Sequence, residues 1–243
     1  MNTHQQRRRG VHPEDKKLFS SSHMAHLRNA VFELSWLLSK GYAMHSSLEL
    51  VGNHYQLTQR QRLAVSRVVC SDESKQLRQD KCLPLEKIKD KQLVIDGFNL
   101  LITIETALSG GVVLRCRDGC TRDIAGIHGS YHPINETRQA IELIGMALES
   151  FNPQEMLWLF DKPISNSGRL VMMVRGIAEE HGWHWQADVN VNPDQAILSA
   201  NKIAITSDSM ILDRISQWVN LGSYLVSTIL DSVWLVDLVS KTR

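Results

Sequence analysis

Four aspartates in the last two-thirds of this chain each stand where an apolar run ends or a helix should begin, and this placement constrains the fold most. Asp96 closes Leu93-Val94-Ile95-Asp96, and Asp161 closes Leu157-Trp158-Leu159-Phe160-Asp161. Asp194 follows Asn192-Pro193, and Asp208 follows Ile203-Ala204-Ile205-Thr206-Ser207. In an open parallel α/β sheet, ligands bind beyond the carboxyl ends of the strands, so groups far apart in sequence converge there. Gathered carboxylates repel one another, and a hard divalent cation with oxygen ligands relieves that repulsion. The pattern points to metal-dependent phosphodiester chemistry.

Apolar runs at 92–95, 112–115, 156–160, 203–206 and 233–236, with a weaker one at 184–189, have strand length. Helical segments are expected at 135–150, 168–181, 194–200 and 209–220, so strands alternate with helices. That alternation predicts an α/β fold with a mostly parallel sheet flanked by helices. Upstream the period is helical: Leu27, Ala30, Val31, Leu34, Leu37 and Leu38 form one stripe over 23–40, and Gly41 stops it. Ser47 can cap a short helix through Val51, and Thr58 with Gln61 makes a capping box for another, running to about Cys70. The latter carries Arg60, Arg62 and Arg67, as in a helix-turn-helix, although such arginines also coat ordinary surfaces. Residues 71–90, charged and interrupted by Pro84, read as a linker. The expected organisation is a flexible basic tail over 1–22, a small all-α domain over 23–85 and an α/β domain over 86–243.

The formal net charge of +1 hides an asymmetry. Residues 1–90 hold 15 Lys and Arg against 9 Asp and Glu, whereas residues 91–243 hold 12 against 17. A basic half beside an acidic half suits a polyanion-binding module joined to a metal-binding one. No apolar stretch reaches the ~20 residues of a membrane helix, and Met1 to Gly10, with Arg7-Arg8-Arg9, lacks a signal-peptide core. A cytoplasmic protein with no membrane partner is therefore expected, with Cys70, Cys82, Cys116 and Cys120 as reduced thiols. Cys116-x3-Cys120 with His128-x3-His132 is too loosely spaced to favour structural zinc.

After the first strong strand comes Asp96-Gly97-Phe98-Asn99, where glycine permits a tight bend and close ligand approach, Asp96 can take a metal, and Asn99 can orient a phosphate or water. The three spaced glycines of a dinucleotide fingerprint are absent. A haloacid-dehalogenase-like site would need an aspartate where Phe98 stands. Taken in order, Asp96-Gly97-Phe98-Asn99-Leu100, Asp161, Asp194-Gln195-Ala196-Ile197-Leu198 and Thr206-Ser207-Asp208 resemble the acidic signature of PIN-like nucleases of the NYN branch. The chain also resembles an uncharacterised prokaryotic two-domain family, in which domain of unknown function 434 is fused to a PIN-like domain. Gly41-Tyr42, Leu50-Val51-Gly52-Asn53-His54-Tyr55, Arg60-Gln61-Arg62, Arg117-Asp118-Gly119-Cys120 and Ser165-Asn166-Ser167-Gly168-Arg169-Leu170 carry that resemblance.

The PIN-like resemblance implies hydrolysis of RNA phosphodiesters, with Asp96, Asp161, Asp194 and Asp208 holding Mg²⁺ or Mn²⁺ and Asn99 and Ser207 in support. The acidic residue that many such nucleases place on an early helix has only Glu105 and Glu136 as loose counterparts, and Gln195 stands where a second acid often follows. The alternative is a non-catalytic nucleic-acid-binding or regulatory protein with a degenerate PIN-like domain; self-association is left open. Two further segments bear on the substrate. Arg117 and Arg122, in Arg115-Cys116-Arg117-Asp118-Gly119-Cys120-Thr121-Arg122-Asp123, suit either phosphate contacts or a salt-bridged loop. Ser165-Asn166-Ser167-Gly168-Arg169 should open a helix, where small hydroxyls, free N–H groups and Arg169 suit an anion.

Overall fold

A computed structural model describes residues 9–125 and 129–240. Arg7, Arg8 and His128 lie outside the described residues. Helices α1 (Asp15–Leu18), α2 (Ser21–Ser39), α3 (Met44–His54), α4 (Gln59–Val68) and α5 (Asp72–Lys81) form an all-helical N-terminal region. The capping box is present: the Thr58 side chain accepts from the Gln61 N–H, and Gln61 reaches back to the Thr58 N–H at 3.1 Å. The α/β part runs β1 (Cys82–Leu83), β2 (Gln92–Asp96), α6 (Gly97–Leu108), β3 (Val113–Arg115), β4 (Thr121–Asp123), α7 (Glu136–Glu149), β5 (Glu155–Asp161) and α8 (Ser167–His181). It continues with β6 (Trp185–Asn190), α9 (Pro193–Ser199), β7 (Ile203–Ile205), α10 (Ser209–Arg214), β8 (Trp218–Val219), α11 (Leu221–Tyr224) and β9 (Leu235–Asp237).

Six strands form one sheet in the order β1-β8-β7-β2-β5-β6, with every pairing parallel. A smaller sheet, β4-β3-β9, joins an antiparallel hairpin to a parallel third strand. Strand β2 is central and buried on both faces, which explains its unbroken Leu93-Val94-Ile95 run. Its alternating side chains feed two cores. Leu93 and Ile95 join Ile104, Ile144, Phe160 and Val174 on one face. Val94 joins Leu159, Ala204 and Trp218 on the other, where Leu27, Leu34, Val65 and Val68 of the helical region enter the same cluster. The N-terminal helices are thus built onto the sheet.

Several expectations are corrected. The described part of the 1–22 segment is packed down: Arg9 Nε donates to Glu105 at 2.8 Å, and Asp15 is buried against Arg60. Charge pairing holds a polar segment that composition marks as free. The 71–90 linker contains helix α5, capped by Ser71, and a 3₁₀ turn at Leu85–Ile88. Helix α6, to which the sequence reading assigned no element, is apolar nearly all round and correspondingly buried. The single helix expected over 209–220 ends at Arg214, and Trp218–Val219 is a strand. On helix α4, Arg60 pairs with Asp15 and Arg62 donates to the Leu57 carbonyl and to Asn53 Oδ1, so two of its three arginines are engaged within the protein, while Arg67 is exposed.

Candidate active site

Strand order reverses beside β2: the chain proceeds outward through β5 and β6, then returns to pair β7 on the other side of β2. This is a topological switch point, the place where open α/β sheets form ligand crevices. Asp96 is the last residue of β2 and immediately precedes α6. Its Oδ2 accepts from Thr206 Oγ1 at 2.7 Å, and the same hydroxyl accepts from the Asp208 N–H at 2.9 Å. One turn into α6, Asn99 Oδ1 accepts from the Ser207 backbone N–H at 3.0 Å and from its hydroxyl. The Thr206-Ser207-Asp208 turn is therefore fastened to the end of β2 by side chains.

Asp208 caps α10, its Oδ1 accepting from the Met210 and Ile211 N–H groups at 2.7 and 3.2 Å. Asp194 stands on the exposed first turn of α9, behind Pro193, and Asp161 ends β5 opposite Asn190 of β6. Burial pushes the Asp96 carboxyl up to about 7; the Thr206 bond opposes this, and the negative fields of Asp208, Asp194 and Asp161 add to it. Asp161 is raised by burial and by Asp194. Asp194 is raised by burial and by Asp208, against the pull of Arg214. All four expected carboxylates thus share one electrostatic neighbourhood. Their donor chemistry fits Mg²⁺ or Mn²⁺. Among the described residues, however, no three His, Cys, Asp or Glu side chains are gathered closely enough to grip one ion as they stand.

Gly97 has a different role from the one expected of it. A Cβ there would lie 2.3 Å from Phe160 Cε1, so the absent side chain makes room for an aromatic ring and not a ligand. Phe98 packs on Phe160 and Tyr131, each with ring centroids 5.2 Å away. Glu105 is buried, bonded by Arg9, Tyr131 and Thr137, so it is an internal anchor. Glu136 opens α7 and is partly buried.

The arginine loop is a salt-bridged structure. Arg122 is buried, donates to both Asp118 oxygens at 3.0 and 2.7 Å, and sends Nε to the Ser207 carbonyl at 2.7 Å. It braces the site's turn from behind, and its buried guanidinium corrects the expectation of a phosphate contact. Arg117 bonds the Cys70 carbonyl and Asp72 Oδ1, tying the hairpin to the start of α5. Cys116 and Cys120 are buried, with their thiols raised by burial, Cys116 to about 11. Ser165 and Asn166 are fastened to 129–131: Ser165 N–H donates to the Gly129 carbonyl at 3.2 Å, and Asn166 Nδ2 donates to the Tyr131 carbonyl at 2.7 Å. Asn166 is left-handed at φ 68° and gives α8 no side-chain cap, Ser167 is buried, and Arg169 is exposed. The contributor that sequence reasoning passed over is Thr206, whose sign was its place between β7 and Asp208.

Similarity to other proteins follows the same division of the chain. Residues 26–81, which span most of α2 through α5, match a protein family of unknown function (DUF434). Residues 85–224, which contain the switch point and all four aspartates, match a domain of unknown function (DUF5616). The chain belongs to the DUF5616 family. Uncharacterized protein MJ0935 of Methanocaldococcus jannaschii is 30% identical over 186 residues, covering 76% of this chain and 88% of that relative. No solved structure matches. This chain thus carries both matched regions in tandem, and its chemistry has to be argued from the site. No helix among the described residues is long and apolar enough to cross a membrane.

Proposed function

We propose that the protein is a divalent-metal-dependent nuclease of PIN-like type that hydrolyses RNA phosphodiester bonds at the end of β2. The observation that supports this reading is the placement of Asp96, Asp161, Asp194 and Asp208 around the switch point, with Asp96 raised to about 7 by burial and by the other three. A site that concentrates negative charge in a partly dry crevice favours occupancy by a cation. Asp96 and Asp208, joined through Thr206, would hold Mg²⁺ or Mn²⁺, with Asp194 and Asp161 closing around it. When bound, such an ion neutralises phosphate charge and acidifies water. Asn99, through its two bonds to Ser207, fixes the Asp208 turn, and Arg122 holds the same turn from beneath. Arg169, exposed in the first turn of the helix that follows β5, would contact a neighbouring phosphate.

A second reading, a non-catalytic nucleic-acid-binding protein, is favoured by the lack of a gathered three-carboxylate set among the described residues. Cleavage of labelled single-stranded RNA in Mn²⁺ decides between them. Asp96→Asn and Asp208→Asn, which keep volume and remove charge, should each lower the rate by at least ~100-fold, the scale of losing ~2.7 kcal/mol of transition-state stabilisation. Cleavage that is absent in the wild type under either metal would leave the binding-protein reading, and cleavage unchanged in both variants would overturn the assignment of the aspartates.

A further inference from the structure

Helix α2 presents a stripe that neither the core nor the aspartate site explains. Arg28, Phe32, Trp36 and Lys40 follow one another at four-residue intervals, while Leu27, Ala30, Val31 and Leu34 fill the buried face. Phe32 is 66% and Trp36 54% exposed. Lys40 sits over the Trp36 ring, its nitrogen 5.8 Å from the centroid. Beside the stripe lies a cavity of about 530 Å³ lined by Arg28 and Phe32 of α2, Lys75 of α5, Arg117 of the hairpin, and Leu238 and Val239. The Arg117 charge is spent on Asp72. Arg28, Lys40 and Lys75 make no ion pair among the described residues.

Cations flanking two solvent-facing aromatic rings are complementary to a polyanion with flat apolar groups. We infer that this groove binds single-stranded nucleic acid, with bases against Phe32 and Trp36 and phosphates on Arg28, Lys40 and Lys75. The inference rests on the nucleic-acid reading above and not on its chemistry. Stacking on Phe32 and Trp36 requires base faces that are free of neighbouring bases. A single strand offers such faces, whereas a duplex keeps them covered by its own stacking. A cavity lined by α2, α5 and the 238–240 segment also disfavours a flat membrane surface. One turn after Lys75, Arg78 reaches from α5 to Asp213 of α10, the helix that Asp208 caps. The groove wall and the candidate active site are thereby mechanically joined.

Fluorescence anisotropy of a labelled oligouridine with the full-length protein, in EDTA and over a range of salt, tests the groove apart from any cleavage. Phe32→Ala/Trp36→Ala should weaken binding by roughly ten-fold or more while keeping the salt slope, because stacking carries no counterion release. Arg28→Gln/Lys75→Gln should weaken binding and make the log–log salt slope shallower by about 1–2. All of these residues are partly or fully exposed, and unchanged melting temperatures confirm the fold. Wild-type affinity in both variants overturns the inference, as does a wild type that binds phosphatidylserine vesicles but not oligouridine. Groove-dependent binding without Mn²⁺ cleavage would refute the nuclease reading alone, whereas cleavage with groove-independent binding would refute the groove alone.

Discussion

Asp96 concentrates the electrostatic argument in a single side chain. Its carboxyl ends a buried strand and faces three others, so the neutral form is the one the metal-free fold prefers. A carboxyl raised from 3.8 to about 7 contributes stability that is fully present below pH ~4 and is lost as pH rises through about 7. Asparagine mimics the neutral form at every pH. Asp96→Asn should therefore match the wild type at pH 4 and exceed it at pH 8 by roughly 1–2 kcal/mol, after discounting for residual solvent contact. Thermal melts in EDTA at the two pH values check this; equal melting temperatures at pH 8 would mean that the strand-end carboxylates do not strain one another. Thr206 is the companion residue, since its hydroxyl links Asp96 to the Asp208 N–H.

Among the elements, α5 shows where reading a sequence reaches its limit. Strands β2, β5 and β7 were legible because an apolar run buried on two faces leaves a plain signature, and α4 was legible through its capping box. Asp161 and Asp208 could be placed for the same reason, as each follows such a run. Helix α5 has no apolar stripe. It is held by Arg78, buried and bonded to Asp118 at 2.7 Å and to Asp213 at 2.7 and 2.9 Å, while Trp218 Nε1 donates to the Arg78 carbonyl at 2.8 Å. Partners 40 and 135 residues away leave no local pattern. Arg122 stays ambiguous in the sequence for a related reason: an arginine beside aspartates looks alike whether it meets phosphate or closes a buried pair. Burial opposes the charge of Asp118, yet Arg122 and Arg78 overcome it and lower its carboxyl to about 2. Arg78→Ala strands part of that charge and should cost about 3–5 kcal/mol, read as a lower urea midpoint with unchanged slope. A loss below ~0.5 kcal/mol, as at ordinary surface positions, would return α5 to the status of a linker.

Over the full chain, a basic helical region and an acidic α/β region share one core and one buried charge network, so they act as a single body. The helices present Phe32, Trp36 and cations that make no ion pair among the described residues, while the sheet presents four carboxylates around its switch point. That division suits a protein that holds a nucleic acid with one part and acts on it with the other. Everything downstream depends on the carboxylates behaving as one cation site. Titration of Mn²⁺ into the full-length protein, followed by the electron paramagnetic resonance signal of the free ion, measures this directly. The wild type should bind Mn²⁺, and Asp96→Asn and Asp208→Asn should each weaken that binding by ten-fold or more, about 1.4 kcal/mol for each factor of ten. A wild type that leaves all Mn²⁺ free, or variants that retain it equally well, would contradict the assignment.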